Sequence, residues 1–233
     1  MVENPRISFI VPAFNEEENL TPCVGELIAT LSAAHIPYEI VIVDDGSRDE
    51  TLAVAKRLAA DQPGQVRACE HKVNQGIGAA LATGFAEARG EFVACCPADF
   101  RMTPEGWEPF SGALGKADVV VGCRRNRSGY NLLMSFNSWL YVRLIRLLFG
   151  LSLRDVNWIC LYRMKLIRQI QITQKGIPIL AEILIRLRDR GATFLEVDCL
   201  MQRRQSGTSS ASRLPVMWRT LRDLLKFRIA YRS

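Results

Sequence analysis

The sequence predicts an α/β fold: a Rossmann-like, mainly parallel sheet with helices on both faces, followed by amphipathic helices. Three observations predict it. Strand and helix patterns alternate through the first 125 residues. The strand candidates are continuous apolar runs, as expected where both faces of a strand are covered. The segments after those runs, NEEEN, DDGSRD, PADFR and RRNRSG, are rich in acids and arginines. Ligands of such sheets bind outside the carboxyl ends of the strands, so chemistry belongs at that edge.

The elements follow in order. RISFIVPAF is a β-rich run that predicts a strand ending at Pro12. In EEENLTPCVGELIATLSAA, Leu20, Val24, Leu27, Ile28 and Leu31 recur at helical spacing. YEIVIVDDG is an unbroken apolar strand closed by acids and glycine, and RDETLAVAKRLAAD is the next helix. VRACEH is a short strand, GIGAALATGFAEARG a small-residue helix ending at Gly90, and EFVACC and ADVVVGC are two further strands.

The second half has a different texture. Residues 132–151, LLMSFNSWLYVRLIRLLFGL, are strongly apolar but interrupted by Arg143 and Arg146. A spanning helix needs about 20 largely uncharged residues, so the pair disfavours one. IPILAEILIRLRDRG reads as an amphipathic helix with a glycine stop, TFLEVDCLM as a strand and RRQSGTSSASR as a basic loop. In LPVMWRTLRDLLKF, Leu214, Met217, Trp218, Leu221, Leu224 and Leu225 form a stripe, with Arg219, Arg222 and Lys226 outside it. Such a helix suits either a membrane interface or its own domain. The expected division is one domain over 1–200 and an appendage, loop plus helix, over 201–233.

The 233 residues are enough for one sizeable core, and 48% apolar with 23% charged excludes wholesale disorder. The start, MVENPRISFIVPAF, lacks the pattern of a signal peptide. Net charge is +6, and residues 203–233 carry eight Lys/Arg against one acid, Asp223. A basic tail on a near-neutral body points to an anionic partner, such as a membrane surface or a phosphorylated ligand. No sequence-specific nucleic-acid module is present, which argues against that partner. Seven cysteines without a CxxC pair suggest a reducing compartment rather than a disulfide framework or zinc site. His35 and His71 have no ligand-like spacing and read as structural or surface residues.

VDDGSRDET (43–51) is the most informative motif. A buried strand delivers Asp44 and Asp45 to a glycine turn, where carboxylates can accept hydrogen bonds from a base N–H or a ribose hydroxyl. Ser47 or Asp49 can cap the next helix.

FIVPAFNEEENL, YEIVIVDDGSRDET, NQGIGAALATGFAEARGEFVACCPADF and ADVVVGCRR, in this order, resemble family 2 glycosyltransferases of GT-A fold. Within that family the resemblance points to polyprenyl (dolichyl) phosphate sugar synthases. It covers about the first 125 residues, and EILIRLRDRGATFLEVDCLMQRRQSGTSS is similar to the later part of the subgroup. The resemblance implies roles by position. Pro12, Phe14 and Glu16 would line the nucleotide pocket; Asp44 and Asp45 would hold base and ribose; the NQGIG turn would support that side. Asp99 would be the surviving acid of the D-x-D motif and a metal ligand. Arg124, Arg125 and Arg204 would serve the donor or acceptor phosphates, and Ser209 completes an Arg204–Gly207–Ser209 ending.

The implied activity is transfer of a sugar from a GDP- or UDP-sugar to polyprenyl phosphate, with inversion. A phosphate monoester, with a second pKa of about 6, is already an anionic nucleophile at neutral pH. Positioning and neutralisation of the leaving diphosphate then matter more than a general base. The implied place is the cytoplasmic, inner face of a membrane, peripherally bound, with a homo-oligomer or membrane partner as a further expectation. The alternatives are a soluble or polysaccharide acceptor, or a catalytically weak partner subunit that binds nucleotide sugars.

The chain departs from the family pattern at four places. Pro97 replaces the first acid of D-x-D and Arg101 stands two residues after Asp99, so Mg²⁺ or Mn²⁺ binding is expected to be weakened and partly replaced by Arg101. Ile159 stands at the glycine of D-x-x-x-G-F after Asp155, and Asn131 replaces an arginine ahead of Ser135.

Overall fold

A computed structural model describes residues 4–125, 132–200 and 214–232. Seven strands form one sheet: β1 (Ile7–Ala13), β2 (Tyr38–Asp44), β3 (Val66–Glu70), β4 (Phe92–Cys95), β5 (Val119–Arg124), β6 (Cys160–Arg163) and β7 (Phe194–Cys199). Their order is β3-β2-β1-β4-β6-β5-β7. All neighbours run parallel except β6, which is antiparallel to β4 and β5.

The unbroken apolar runs are explained by two cores, one on each face. Phe9, Val11, Ile40 and Ile42 point to the face covered by α1 (Glu17–Ala33), α2 (Thr51–Asp61) and α4 (Pro104–Ala113). Ile10, Val41 and Val43 point to the other, covered by α3 (Ile77–Glu87), α5 (Leu132–Phe149), α7 (Ile179–Asp189) and α8 (Leu214–Arg232), with the single turn α6 (Met164–Ile167) beside them. The edge away from the candidate site is locked. Buried Glu39 accepts hydrogen bonds from the Ser8 hydroxyl at 2.7 Å, the Arg89 amide at 2.6 Å and the Arg67 guanidinium at 3.0 Å.

Several elements differ from the sequence reading. β1 runs one residue past Pro12, to Ala13. β4 pairs with β1 only as far as Ile10, so Pro12, lacking an N–H, sits where one edge of the strand is already free. α3 stops at Glu87 rather than Gly90, because Ala88 turns extended. Gly90 then passes so close to β1 that a Cβ there would lie 2.7 Å from the Ser8 nitrogen. α4 was hidden by Gly106, Pro109 and Gly112, although Thr103 caps it and Pro104 opens it. β6 was hidden by its four-residue length.

The last helix belongs to the same core. Leu224 and Phe227 are buried, and Phe227 stacks on Phe149 of α5 at 5.2 Å. Described side chains on α8 begin at Trp218. Trp218, Leu225 and Ile229 lie on its opposite, exposed side. The stripe expected from the sequence is therefore divided between two faces. No helix among the described residues is long and apolar enough to cross a membrane.

Candidate functional site

Polar groups converge at the carboxyl ends of the parallel strands. Because β6 is antiparallel, it brings its start, residues 155–159, to that same edge between the ends of β4 and β5. The edge has two halves.

In the first half, the loops after β1 and β2 are laced together. The Asn15 amide donates to the Ser47 hydroxyl at 3.0 Å, and the Arg48 amide to the Asn15 side-chain carbonyl at 2.9 Å. The Glu16 amide donates to Thr51 Oγ1 at 2.8 Å and the Glu50 amide to Glu17 at 2.9 Å. Asn15 holds a left-handed φ of 56°, a conformation that asparagine tolerates better than most residues. Ser47 thus braces the neighbouring loop, while Asp49 accepts from the Thr51 amide that opens α2. Desolvation acts to raise the Asp49 carboxyl, but hydrogen bonds from the Thr51 hydroxyl and from the Thr51 and Glu17 amides hold it below its ordinary value.

Pro12, Phe14, Glu16, Asp44 and Asp45 are gathered here, in different states. Phe14 is 41% exposed, and Pro12 and Glu16 are half-buried. Glu16 accepts from the Asn19 amide group at 2.8 Å. Asp44 is buried; its Oδ2 accepts from the Ser47 amide at 3.2 Å, while its Oδ1 has no hydrogen-bond partner in the structure. A buried carboxylate oxygen without a donor is costly, which marks a place where a ligand N–H or O–H can be received. Asp45 is filled from within the protein. It accepts the Gln75 and Gly76 amides at 2.9 and 2.7 Å, and His71 Nδ1 lies 2.7 Å from its Oδ1. His71, read from sequence as structural or surface, is the residue whose part here was missed; a histidine closing the strand after a DD pair is a faint signal.

In the second half, Asp99 lies in a turn closed by the Phe100 amide donating to the Pro97 carbonyl at 2.9 Å. Arg101 points to α1: Nη1 donates to the carbonyls of Asn19 at 3.4 Å and Phe100 at 3.2 Å, and Nε lies 3.9 Å from Glu26. Its charge is thus matched at the flank of the loop. Among the described residues no group of three or more His, Cys, Asp or Glu side chains could hold a metal. One carboxylate still fits Mg²⁺ or Mn²⁺, since Mg²⁺ commonly takes one or two carboxylates with phosphate oxygens and water.

Arg124 forms a buried fork with Asp155, Nε to Oδ2 at 2.7 Å and Nη2 to Oδ1 at 2.8 Å, and lies over the Trp158 ring at 4.9 Å. Trp158 meets Phe100 edge to face at 5.0 Å. These contacts tie the Asp99 loop to the ends of β5 and β6. Arg125 is exposed, and its amide donates to the Cys199 carbonyl at 3.0 Å. Arg204, Gly207, Ser209 and Asn131 lie outside the described residues. All seven cysteines are free, and desolvation pushes the Cys160 thiol up to about 12, so it behaves as an apolar filler.

A sequence profile described as Glycosyl transferase family 2 matches residues 8–171. The chain is 30% identical over 174 residues to a dodecaprenyl-phosphate galacturonate synthase of Rhizobium johnstonii, covering 73% of this chain and 52% of the other. It is 29% identical over 190 residues to a dolichol-phosphate mannosyltransferase of Pyrococcus furiosus, covering 78% and 53%. The chain spans about half the length of these curated relatives. Among solved structures, glucosyl-3-phosphoglycerate synthase from Mycobacterium tuberculosis, in complex with Mn²⁺, uridine diphosphate and phosphoglyceric acid, superposes with a TM-score of 0.72 at 19% identity, covering 96% of this chain and 78% of that one.

Proposed function

The chain belongs to glycosyl transferase family 2 and has its GT-A fold, and from that premise we propose that it moves a sugar from a nucleoside diphosphate sugar to a polyprenyl phosphate. The observation that carries this reading is the alignment along one sheet edge of the unpartnered, buried Asp44 oxygen, the Asp99 turn and the exposed Arg125. The first suits a base N–H or ribose hydroxyl; the others suit phosphates. The names of the curated relatives, which act on dodecaprenyl and dolichol phosphates, support the acceptor class.

In this reading Asp44 receives the nucleoside while the laced loops hold its pocket in shape. Asp99 would hold Mg²⁺ or Mn²⁺ against the diphosphate, and the cation would supply charge neutralisation of the leaving group. Arg125 and Arg204 attract and orient phosphate oxygens. Arg124, engaged by Asp155, stiffens the wall beside Arg125. The acceptor phosphate, ionised at neutral pH, attacks the anomeric carbon opposite the departing diphosphate, so configuration inverts.

The exposed helix faces suit a bilayer carrying the acceptor. On α5, Phe136, Trp139, Arg143 and Leu147 fall on one exposed stripe, with Arg143 over the Trp139 ring at 5.2 Å. On α8, Trp218, Arg222, Leu225 and Ile229 do the same. Aromatic rings and snorkelling arginines on a helix side favour the membrane interface. We place the protein peripherally on the cytoplasmic face. Incubation with vesicles containing polyprenyl phosphate and a panel of UDP- and GDP-sugars tests the reading. Formation of a sugar phosphoryl lipid is expected, and transfer to a soluble acceptor with none to lipid would refute it.

A further inference from the structure

The segment after β3, residues 71–76, walls the edge beside Asp44. Lys72, Val73, Asn74 and Gln75 are exposed, with Val73 at 66%, so no apolar anchor of its own gives the segment a shape. Polar contacts do, beginning with the His71 backbone amide, which donates to the Asp44 carbonyl at 2.8 Å. The Gln75 and Gly76 amides donate to buried Asp45, and His71 is turned inward with its side chain 10% exposed.

The hydrogen-bond roles of His71 follow from its partners. Asp45 is a carboxylate, already accepting two amides, so Nδ1 donates to it at 2.7 Å. Nε2 lies 2.9 Å from the Thr83 hydroxyl, a group that can donate to it or accept from it. Thr83 lies on α3 and Asp45 at the end of β2, so the imidazole bridges two elements that a shorter side chain could not span. Gly46 leaves the segment close room: a Cβ there would stand 2.5 Å from the Val73 carbonyl carbon. A displaced segment would therefore press on the turn that carries Asp44 and Asp45.

We propose that His71 is a positioning residue for the donor site, holding segment 71–76 against Asp45 so that the nucleotide pocket is formed before its ligand arrives. This makes Asp45 an internal latch rather than a nucleotide ligand. The inference rests on the reading that the nucleotide binds at this edge.

The test pairs calorimetric titration of UDP and GDP with amide hydrogen exchange of the free protein. His71→Leu removes both bonds, His71→Asn keeps a donor near the Nδ1 position, and Thr83→Val removes one end of the bridge. Loss of a hydrogen bond to a charged group predicts at least about tenfold weaker nucleotide binding for His71→Leu. Exchange at Gln75 and Gly76 should quicken while amides of β1 and β2 keep their rates. His71→Asn should return binding to within about threefold of wild type, and Thr83→Val should fall between. Wild-type binding and exchange in His71→Leu would overturn the proposal, as would uniformly faster exchange in both His71→Leu and Thr83→Val. If the wild type bound neither diphosphate, the donor reading would fall. The exchange arm would still decide the latch: faster exchange confined to 71–76 supports it, and unchanged exchange overturns it.

Discussion

The two halves of the ligand edge are held by different forces. The half formed by β1, β2 and β3 is laced by short hydrogen bonds between loop amides and the side chains of Asn15, Ser47, Thr51 and Asp45. The half formed by β4, β5, β6 and β7 depends on a buried Arg124–Asp155 pair and on rings, Trp158 and Phe100, wedged between loops. Amide lacing fixes backbone, which suits a rigid nucleotide. Guanidinium and ring contacts fix side chains.

The largest expected effect lies in the second half. Asp99→Asn removes the one carboxylate that the turn offers, and transfer in the vesicle assay should fall about 10²–10³-fold with nucleotide affinity less affected. Near-normal turnover would break the assignment. Asp155→Ala leaves Arg124 buried without its carboxylate and should cost about 3–5 kcal/mol, read as a lower urea midpoint. A first-half change of similar size is not expected, because its contacts are many and individually small.

In the first half, Asp44→Asn should weaken UDP or GDP binding about tenfold while shifting the unfolding midpoint little. Equal affinity would sever Asp44 from the nucleoside. At the membrane face, replacing both Trp218 and Ile229 with Ser should reduce pelleting with anionic vesicles several-fold without changing Tm, since each is more than 70% exposed. The smallest effect concerns Asp49. Its carboxyl is held below its ordinary value, so its contribution to stability is present above that ordinary value and lost as pH falls through the lowered one. The Tm gap between wild type and Asp49→Asn should be constant near neutrality and close only in strong acid.

Much of the fold was legible because long apolar runs at period-breaking acids leave few alternatives: β1, β2, β3, β4, β5 and β7 all form where those runs stand. β6 and α4 escaped because four residues carry no period and Gly and Pro blur a helix. In the site, Asp44 and Asp99 lie at the predicted edge. Asp45, Arg101 and Arg124 reach it too, but their charges are taken up by His71 and amides, by Glu26 and carbonyls, and by Asp155. The side-chain partners His71, Glu26 and Asp155 lie 26, 75 and 31 positions away along the chain, beyond any local pattern.

The sequence by itself determined the layered sheet, the edge where polar groups gather and the family motifs, since these depend on periodicity and on strand ends. Only the tertiary structure decided which of those groups keep an acceptor unfilled and which serve as braces within the protein. Hydrogen-bond partnership depends on distances of about 3 Å between remote segments, and a linear pattern holds no such distances. It also decided that α8 has two apolar sides, one docked on Phe149 and one facing out, because burial is a property of what packs against a helix and not of the helix alone.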